Sequence, residues 1–244
     1  GIVVVDCTSP LAPATDEYSV SVVAKDYDFG YTGMKWLCEQ IGGKGNVICL
    51  DGMAGLSSAV LRMEGAQDAL KEYPDVKIIA SEYANWDYAT AKPIVENMLA
   101  TYDQIDAVWS SGGDMTRAAI EAWAEAGRPW VPMMGEDCNG FLKLWKKYKD
   151  EGLSCIAVSL PTWLFAYGAE LGLEILNGTY TGEKDVVVEI PSFGNDEVDK
   201  YVREDLSDSF WGQTHMTEEQ IVALYGNGND GSQGITGTGA ASDH

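Results

Sequence analysis

Short apolar runs alternate along this chain with stretches in which apolar positions return every three to four residues. The runs predict strands over residues 2–5, 21–24, 46–50, 76–80, 106–110, 130–134, 153–158 and 185–190. The spacing between them predicts helices over 31–41, 58–73, 88–102, 115–126, 140–150 and 163–176. In the second of these, Ala59, Val60, Met63, Ala66, Ala69 and Leu70 make one apolar face. Strict strand–helix alternation means βαβ units and a parallel sheet. The run Ile2-Val3-Val4-Val5 carries no polar alternation, as expected of a strand covered on both faces. Asp87, Asp114, Asn139 and Thr162 are suited to cap helix N-termini, and Gly127, Gly152 and Gly178 to close helices.

Two stretches break the rhythm. Residues 9–16 carry two prolines and read as a loop. Beyond Ile190 the alternation stops, and residues 191–213 are acidic and irregular, with Phe210-Trp211 reading as exposed. Thr217-Glu218-Glu219-Gln220 is a capping box before a short helix ending near Tyr225. The composition of 226–244 (Gly, Ser, Thr, Asn, Asp) cannot bury a core and is expected to be a disordered tail.

Composition narrows the partners. Thirty-eight acidic against 16 basic residues in 244 give a net charge of −22, which makes nucleic acid and anionic membrane surfaces poor partners, since both need a basic face. The five cysteines show neither CxxC nor metal-ligand spacing, and their odd count leaves at least one thiol free. Only two histidines are present, against His-based catalysis. The dinucleotide, P-loop, nucleophile-elbow and zinc-protease signatures are all missing. Neither a catalytic set, a metal nor a cofactor is expected.

Candidate chemistry lies in the loops at the carboxyl ends of the strands, where open α/β sheets bind ligands. These loops are Asp6-Cys7, Lys25-Asp26, 51–58, 83–87, 111–114, 135–139 and Ser159. They bring together carboxylates, Lys25 and Trp86, with Arg62 about one turn into the helix that follows residue 57. Carboxylates with an arginine suit vicinal hydroxyls, and an aromatic face suits the C–H side of a sugar ring. The plainer alternatives are that Asp87, Asp114 and Asn139 are only caps, Arg62 a surface arginine and Trp86 ordinary packing. Asp137, just before its cap, is harder to explain that way.

The segment Asn46-Val47-Ile48-Cys49-Leu50-Asp51-Gly52-Met53-Ala54-Gly55, followed by Arg62-x-Glu64-Gly65, resembles the periplasmic ribose-binding-protein family of bacterial sugar ABC importers. So do Asp106-Ala107-Val108-Trp109 with Asp114-Met115, and Met134-Gly135-Glu136-Asp137, in the same order from residue 1 to about 190. The resemblance implies a periplasmic-binding-protein-like α/β fold: two Rossmann-like parallel-sheet lobes joined by a hinge and closing on a small sugar. It implies roles for Asp6 (acidic ligand of the first lobe), Arg62 (sugar-binding arginine), Trp86 (stacking aromatic) and Asp137 (aspartate of the second lobe). Lys25 and Ser159 fall at hinge crossings, Met53 at an apolar contact, and Gly112 where the ribose binders carry an asparagine. Cys7 replaces their arginine and Ser159 their glutamine, so the ligand is left open among pentoses, deoxysugars, polyols and other small hydroxylated molecules.

By the same resemblance the first lobe is incomplete, lacking roughly three βα units of ~30 residues each. Residues 1–25 are then the remnant of the N-terminal lobe and the first hinge crossing. Residues 26–158 form a complete C-terminal lobe, 159–190 return to the first lobe, and 191–225 are an extension before the 226–244 tail. A homodimer is expected to cover the apolar faces of the incomplete lobe. The implied function is non-catalytic: capture of a small sugar or polyol and delivery to the membrane permease of an ABC importer. The implied location is periplasmic or extracellular and lipid-anchored, with the signal segment outside this chain. The alternatives are the effector-binding domain of a sugar-responsive transcription regulator and an α/β enzyme using Asp51 or Asp137 as general base. Cys7 and Cys138 each follow a candidate aspartate, and in an oxidising compartment a disulfide between them would hold the cleft shut.

Overall fold

The computed structural model describes residues 1–8, 18–212 and 214–232. The expected loop at 9–16 and residues 233–244 of the expected tail lie outside the described residues. The tail's first part, 226–232, is tied down rather than disordered, with Gly226 bridging Leu206 and Ser209 Oγ donating to the Asp230 carbonyl (2.7 Å).

Two sheets organise the chain. The smaller has the order β1 (Val5–Thr8), β2 (Val20–Ala24), β8 (Asp185–Val188), all parallel. The larger contains β3 (Lys44–Asp51), β4 (Asp75–Tyr83), β5 (Ala107–Ser110), β6 (Met133–Gly135), β7 (Cys155–Val158) and β9 (Ser192–Phe193). Its order is β4-β3-β5-β6-β7-β9, parallel throughout except for β9, which runs antiparallel to β7. The order reverses between β3 and β5, which opens a crevice at their carboxyl ends.

The larger sheet is covered on both faces, and period-2 side-chain alternation sorts its strands between the two. On β3, Val47 and Cys49 pack under α1 (Asp26–Gln40) and α2 (Ser57–Leu70), whereas Ile48 and Leu50 face the other side. That side holds α3 (Tyr88–Thr101), α4 (Gly113–Ala126) and α5 (Asn139–Tyr148), with Trp123 and Trp145 almost fully buried. α1 and α2 approach unusually closely. A Cβ at Gly30 would meet the Arg62 carbonyl oxygen at 1.7 Å, and one at Gly65 the Tyr27 carbonyl oxygen at 2.0 Å. The small sheet packs Val20, Val22 and Ala24 against Leu164 and Leu171 of α6 (Leu164–Asn177). Phe165, Leu173, Leu176 and Val187 remain exposed there.

Several boundaries differ from expectation for physical reasons. The first strand runs over 5–8 rather than 2–5, with Ile2 in solvent. β6 starts only at Met133, because Pro132 has no N–H for the ladder; its carbonyl accepts from Val108 N (3.0 Å). α1 begins at Asp26, and Asp26 and Asp28 place negative charge in its first turn, where the helix dipole favours it. Of the four expected caps, Asp87 is one, accepting from Thr90 N at 2.7 Å. α4, α5 and α6 instead start after Gly112, Cys138 and Trp163. The capping box at Thr217 opens α8 (Glu218–Tyr225).

The acidic C-terminal segment is not loose. Asn195 Oδ1 accepts from Trp145 Nε1 (2.7 Å) and Cys155 N (3.0 Å) ahead of α7 (Val198–Tyr201). Asn139, the first residue of α5, donates through Nδ2 to the carbonyls of Arg203 (2.7 Å), Leu206 (3.2 Å) and Ser207 (3.0 Å) and accepts from Arg203 N (2.9 Å). Phe210, expected to be exposed, is buried with Leu206 and Ile221, and Trp211 is half-buried against the large core. Asn139→Ala removes both amide N–H donors, shared among three carbonyls, and the bond accepted from Arg203 N. We expect a loss of about 2–4 kcal/mol of stability in urea unfolding, with proteolysis first appearing after residue 203.

Candidate functional site

The site is built where the carboxyl ends of β3, β5, β6 and β7 meet the helices that follow them. Its frame is Arg62, on the first turns of α2 and only 3% exposed. Nε donates to Asp26 Oδ1 (2.8 Å), Nη2 to Glu136 Oε1 (2.9 Å) and Nη1 to the Ser111 carbonyl. The guanidinium lies over the Phe29 ring at 4.2 Å. Burial works against its charge, but the carboxylates of Glu136 and Asp26 outweigh that and hold it above its usual range. Glu136 is pushed up by burial, with Arg62 opposing.

Trp86 packs beside this frame. Its backbone is left-handed (φ 55°), as is that of Asn85 (φ 57°), a conformation uncommon for bulky residues and concentrated at functional sites. Its Nε1 donates to the same Ser111 carbonyl at 2.9 Å. The ring lies so close to the loop after β3 that a Cβ at Gly52 would meet it at 2.1 Å, and one at Gly112 at 2.6 Å. Gly112 is therefore the floor on which the indole rests.

Asp137 and Ser159 follow β6 and β7. Asp137 is 1% exposed and Ser159 fully buried; the two face one another, and no other protein group meets Asp137 Oδ1 or Ser159 Oγ. Burial raises the Asp137 carboxyl to about 6, with the neighbouring Ser159 hydroxyl pulling the other way. Ser111 Oγ and Asp51 Oδ1 are buried without partners. Asp51 Oδ2 accepts from Ser81 Oγ (2.9 Å), and burial raises this carboxyl too.

The structure thus joins Arg62, Trp86 and Gly112 through Ser111, and sets Asp137 beside Ser159. The other three candidates make their contacts elsewhere. Asp6, buried in the small sheet, accepts from Ser21 Oγ (3.2 Å). Lys25 is exposed, 3.8 Å from Asp28, at the edge of a cavity of about 540 Å³ between α1 and β8. Met53 is exposed in the loop after β3. Sequence reasoning missed Asp26, Glu136 and Ser111 as a framework. The available signal was electrostatic: an arginine buried by its helix must be met by carboxylates from neighbouring strand ends. Cys7 and Cys138 are free thiols, not a disulfide. Among the described residues no group of three or more His, Cys, Asp or Glu is placed to hold a metal ion.

Residues 1–179 match the periplasmic binding protein domain. The chain belongs to that family. Among curated relatives of this periplasmic binding protein, the xylitol-binding protein of Mycolicibacterium smegmatis is 35% identical over 124 residues, 50% of this chain and 36% of that protein. The ribose import binding protein RbsB of Salmonella typhimurium is 30% identical over 166 residues, 68% of this chain and 55% of that protein. The chain thus spans about half the length, or less, of these curated relatives. A solved ABC transporter solute-binding protein of Actinobacillus succinogenes with bound D-allose superposes with a TM-score of 0.64 at 29% identity, covering 75% of this chain and 63% of that one. A solute-binding protein of Bacillus halodurans with bound myo-inositol shares the fold at a TM-score of 0.71 and 20% identity, covering 82% and 68%. The α/β fold with parallel-dominated sheets is that of the family, as the sequence resemblance implied.

Because Arg62 balances two buried carboxylates, its removal is first a stability lesion. Arg62→Ala is expected to cost about 3–5 kcal/mol in chemical denaturation, since it strands Asp26 and Glu136. Adding Asp26→Asn and Glu136→Gln to that variant should recover part of the loss.

Proposed function

We propose that this chain is a solute-binding protein that takes a small sugar or polyol into the crevice at the carboxyl ends of β3, β5, β6 and β7. The observation carrying this reading is the group of buried oxygens there that the rest of the fold leaves unmet: Ser111 Oγ, and Asp137 Oδ1 and Ser159 Oγ, which have only each other. A buried polar atom without a partner costs about 1–3 kcal/mol, and a ligand hydroxyl relieves that cost. Trp86 offers an aromatic face, and Arg62 keeps N–H groups beyond the three already engaged. The names of the relatives carry polyol, pentose and hexose ligands, the same chemical class.

On this reading residues 26–158 act as one lobe, and 1–25 with 159–190 as the other. Asp6, Lys25 and Met53 reach the ligand as the lobes close. The loaded protein then docks, outside the cytoplasm, on the permease of an ABC importer. It performs no chemistry on what it carries.

Titration calorimetry with xylitol, D-ribose, D-allose and myo-inositol tests this directly. At least one is expected to bind and to raise the melting temperature; a folded chain that binds none of them sinks the proposal. Asp137 adds a pH signature. Its ionised form accepts the ligand hydroxyl and its midpoint is raised to about 6, so affinity is steady above that pH and falls as pH drops through it. Asp137→Asn should weaken binding by roughly 10–100-fold and abolish that dependence.

The exposed Phe165, Leu173, Leu176 and Val187 present an apolar face on which a second copy of the chain would dock. Sedimentation equilibrium should then give a dimer that Phe165→Glu dissociates; a monomer at all concentrations removes this part of the reading.

A further inference from the structure

The family match ends at residue 179, yet a later segment reaches the site. Asn139 N and Gly140 N donate to the carbonyls of Phe210 (2.8 Å) and Asp208 (2.9 Å). Trp211 bridges Cys138 in antiparallel fashion, and the Cβ position of Gly212 lies 3.4 Å from Asp137 Oδ2. Farther on, His215 stacks on Trp163 with ring centroids 4.0 Å apart and planes inclined by 18°. Trp163 caps α6 and stands four residues after Ser159. The segment is therefore held at one end against Asp137, and at the other against the helix that follows Ser159. Asp137 and Ser159, which face one another, belong to the same two strand ends.

We propose that Gly212 and His215 form the outer wall of the ligand site at its Asp137–Ser159 end and set the size of hydroxylated ligand admitted there. The proposal rests on the ligand reading above. Backbone strain does not explain the glycine, since Gly212 is not among the positive-φ residues. Steric conflict does not explain it either, because 3.4 Å is ordinary contact for a Cβ. What a side chain there would do is place carbon against the carboxylate, and glycine leaves that space open. His215 is exposed and stacks its ring on Trp163, at the start of the helix that follows Ser159. Neither residue carries the bonds that anchor the segment. Those run through Asn139, and through Asp208 to Arg117 (2.8 Å) and Lys143 (3.0 Å).

The test uses Gly212→Val and His215→Ala in the full chain, titrated with xylitol and with the bulkier myo-inositol. Gly212→Val should weaken the bulkier ligand about tenfold more than the slimmer one, and His215→Ala should shift the ratio the other way. Melting temperatures should stay close to the parent's. A parent-like ratio of affinities in both variants overturns the selectivity role. A second measurement needs no ligand: the ¹³C-carboxyl titration of Asp137, whose facing groups Glu136 and Ser159 are unchanged in these variants. Valine at 212 should move its midpoint upward by setting apolar carbon against Oδ2. An unmoved midpoint overturns the wall whether or not any sugar binds. A parent that binds no sugar defeats the ligand reading instead, and with it the claim of selectivity, even where the midpoint moves.

Discussion

The buried guanidinium of Arg62 is the constraint on which the rest of the site depends. One cation faces two carboxylates and a carbonyl in a space from which water is excluded, so none of the partners can leave without stranding another. The partners come from separate elements: Asp26 opens α1, Ser111 follows β5, and Glu136 follows β6. Two glycines make the arrangement reachable. Gly30 and Gly65 let α1 and α2 touch backbone to backbone, and that closeness brings the first turns of α2 over the strand ends. An alanine at either position would push the helices apart and move the guanidinium away from its partners.

The Ser111 carbonyl connects this frame to Trp86. It accepts from both Arg62 and Trp86, so the position of the indole is tied to that of the ion network. The left-handed backbone at Trp86 stores strain that only such over-determined packing sustains. Gly52 and Gly112 keep the two neighbouring loops thin enough for the ring to lie between the ends of β3 and β5, at the point where strand order reverses. Fold topology creates the crevice there, and the aromatic ring is fixed within it.

The order of strands and helices was legible because apolar runs bounded by Asp-Gly, Gly and Pro carry both element type and connection. Helix starts were less legible. Asp114 and Asn139 have the chemistry of caps, but Asn139 is claimed by carbonyls 64 to 68 residues away. No local pattern announces such a partner. The same blindness applies to Phe210 and Trp211, which sit in a stretch without periodicity and are buried only because α5 is there to receive them. Among the site residues, Asp137 and Trp86 could be singled out by their loops. That Arg62 is committed to Asp26 and Glu136 could not, since these pairs join residues 36 and 74 positions apart.

The contrast between satisfied and unsatisfied polar groups separates frame from site. Asn139 and Asn195 meet their partners almost completely, Arg62 commits three of its N–H groups to the fold, and these networks fix the backbone of α2, of α5 and of the C-terminal segment. The oxygens that the rest of the fold leaves unmet are different ones, clustered at the ends of β3, β5, β6 and β7. Leaving Asp137 desolvated, with its carboxyl raised to about 6, costs stability above that pH, because the folded state then holds the ionised form less well than the unfolded chain does. On the proposed reading, such a frame lets incoming hydroxyls contribute bonds that the fold leaves unmade, and affinity comes from relieving a cost the fold itself carries.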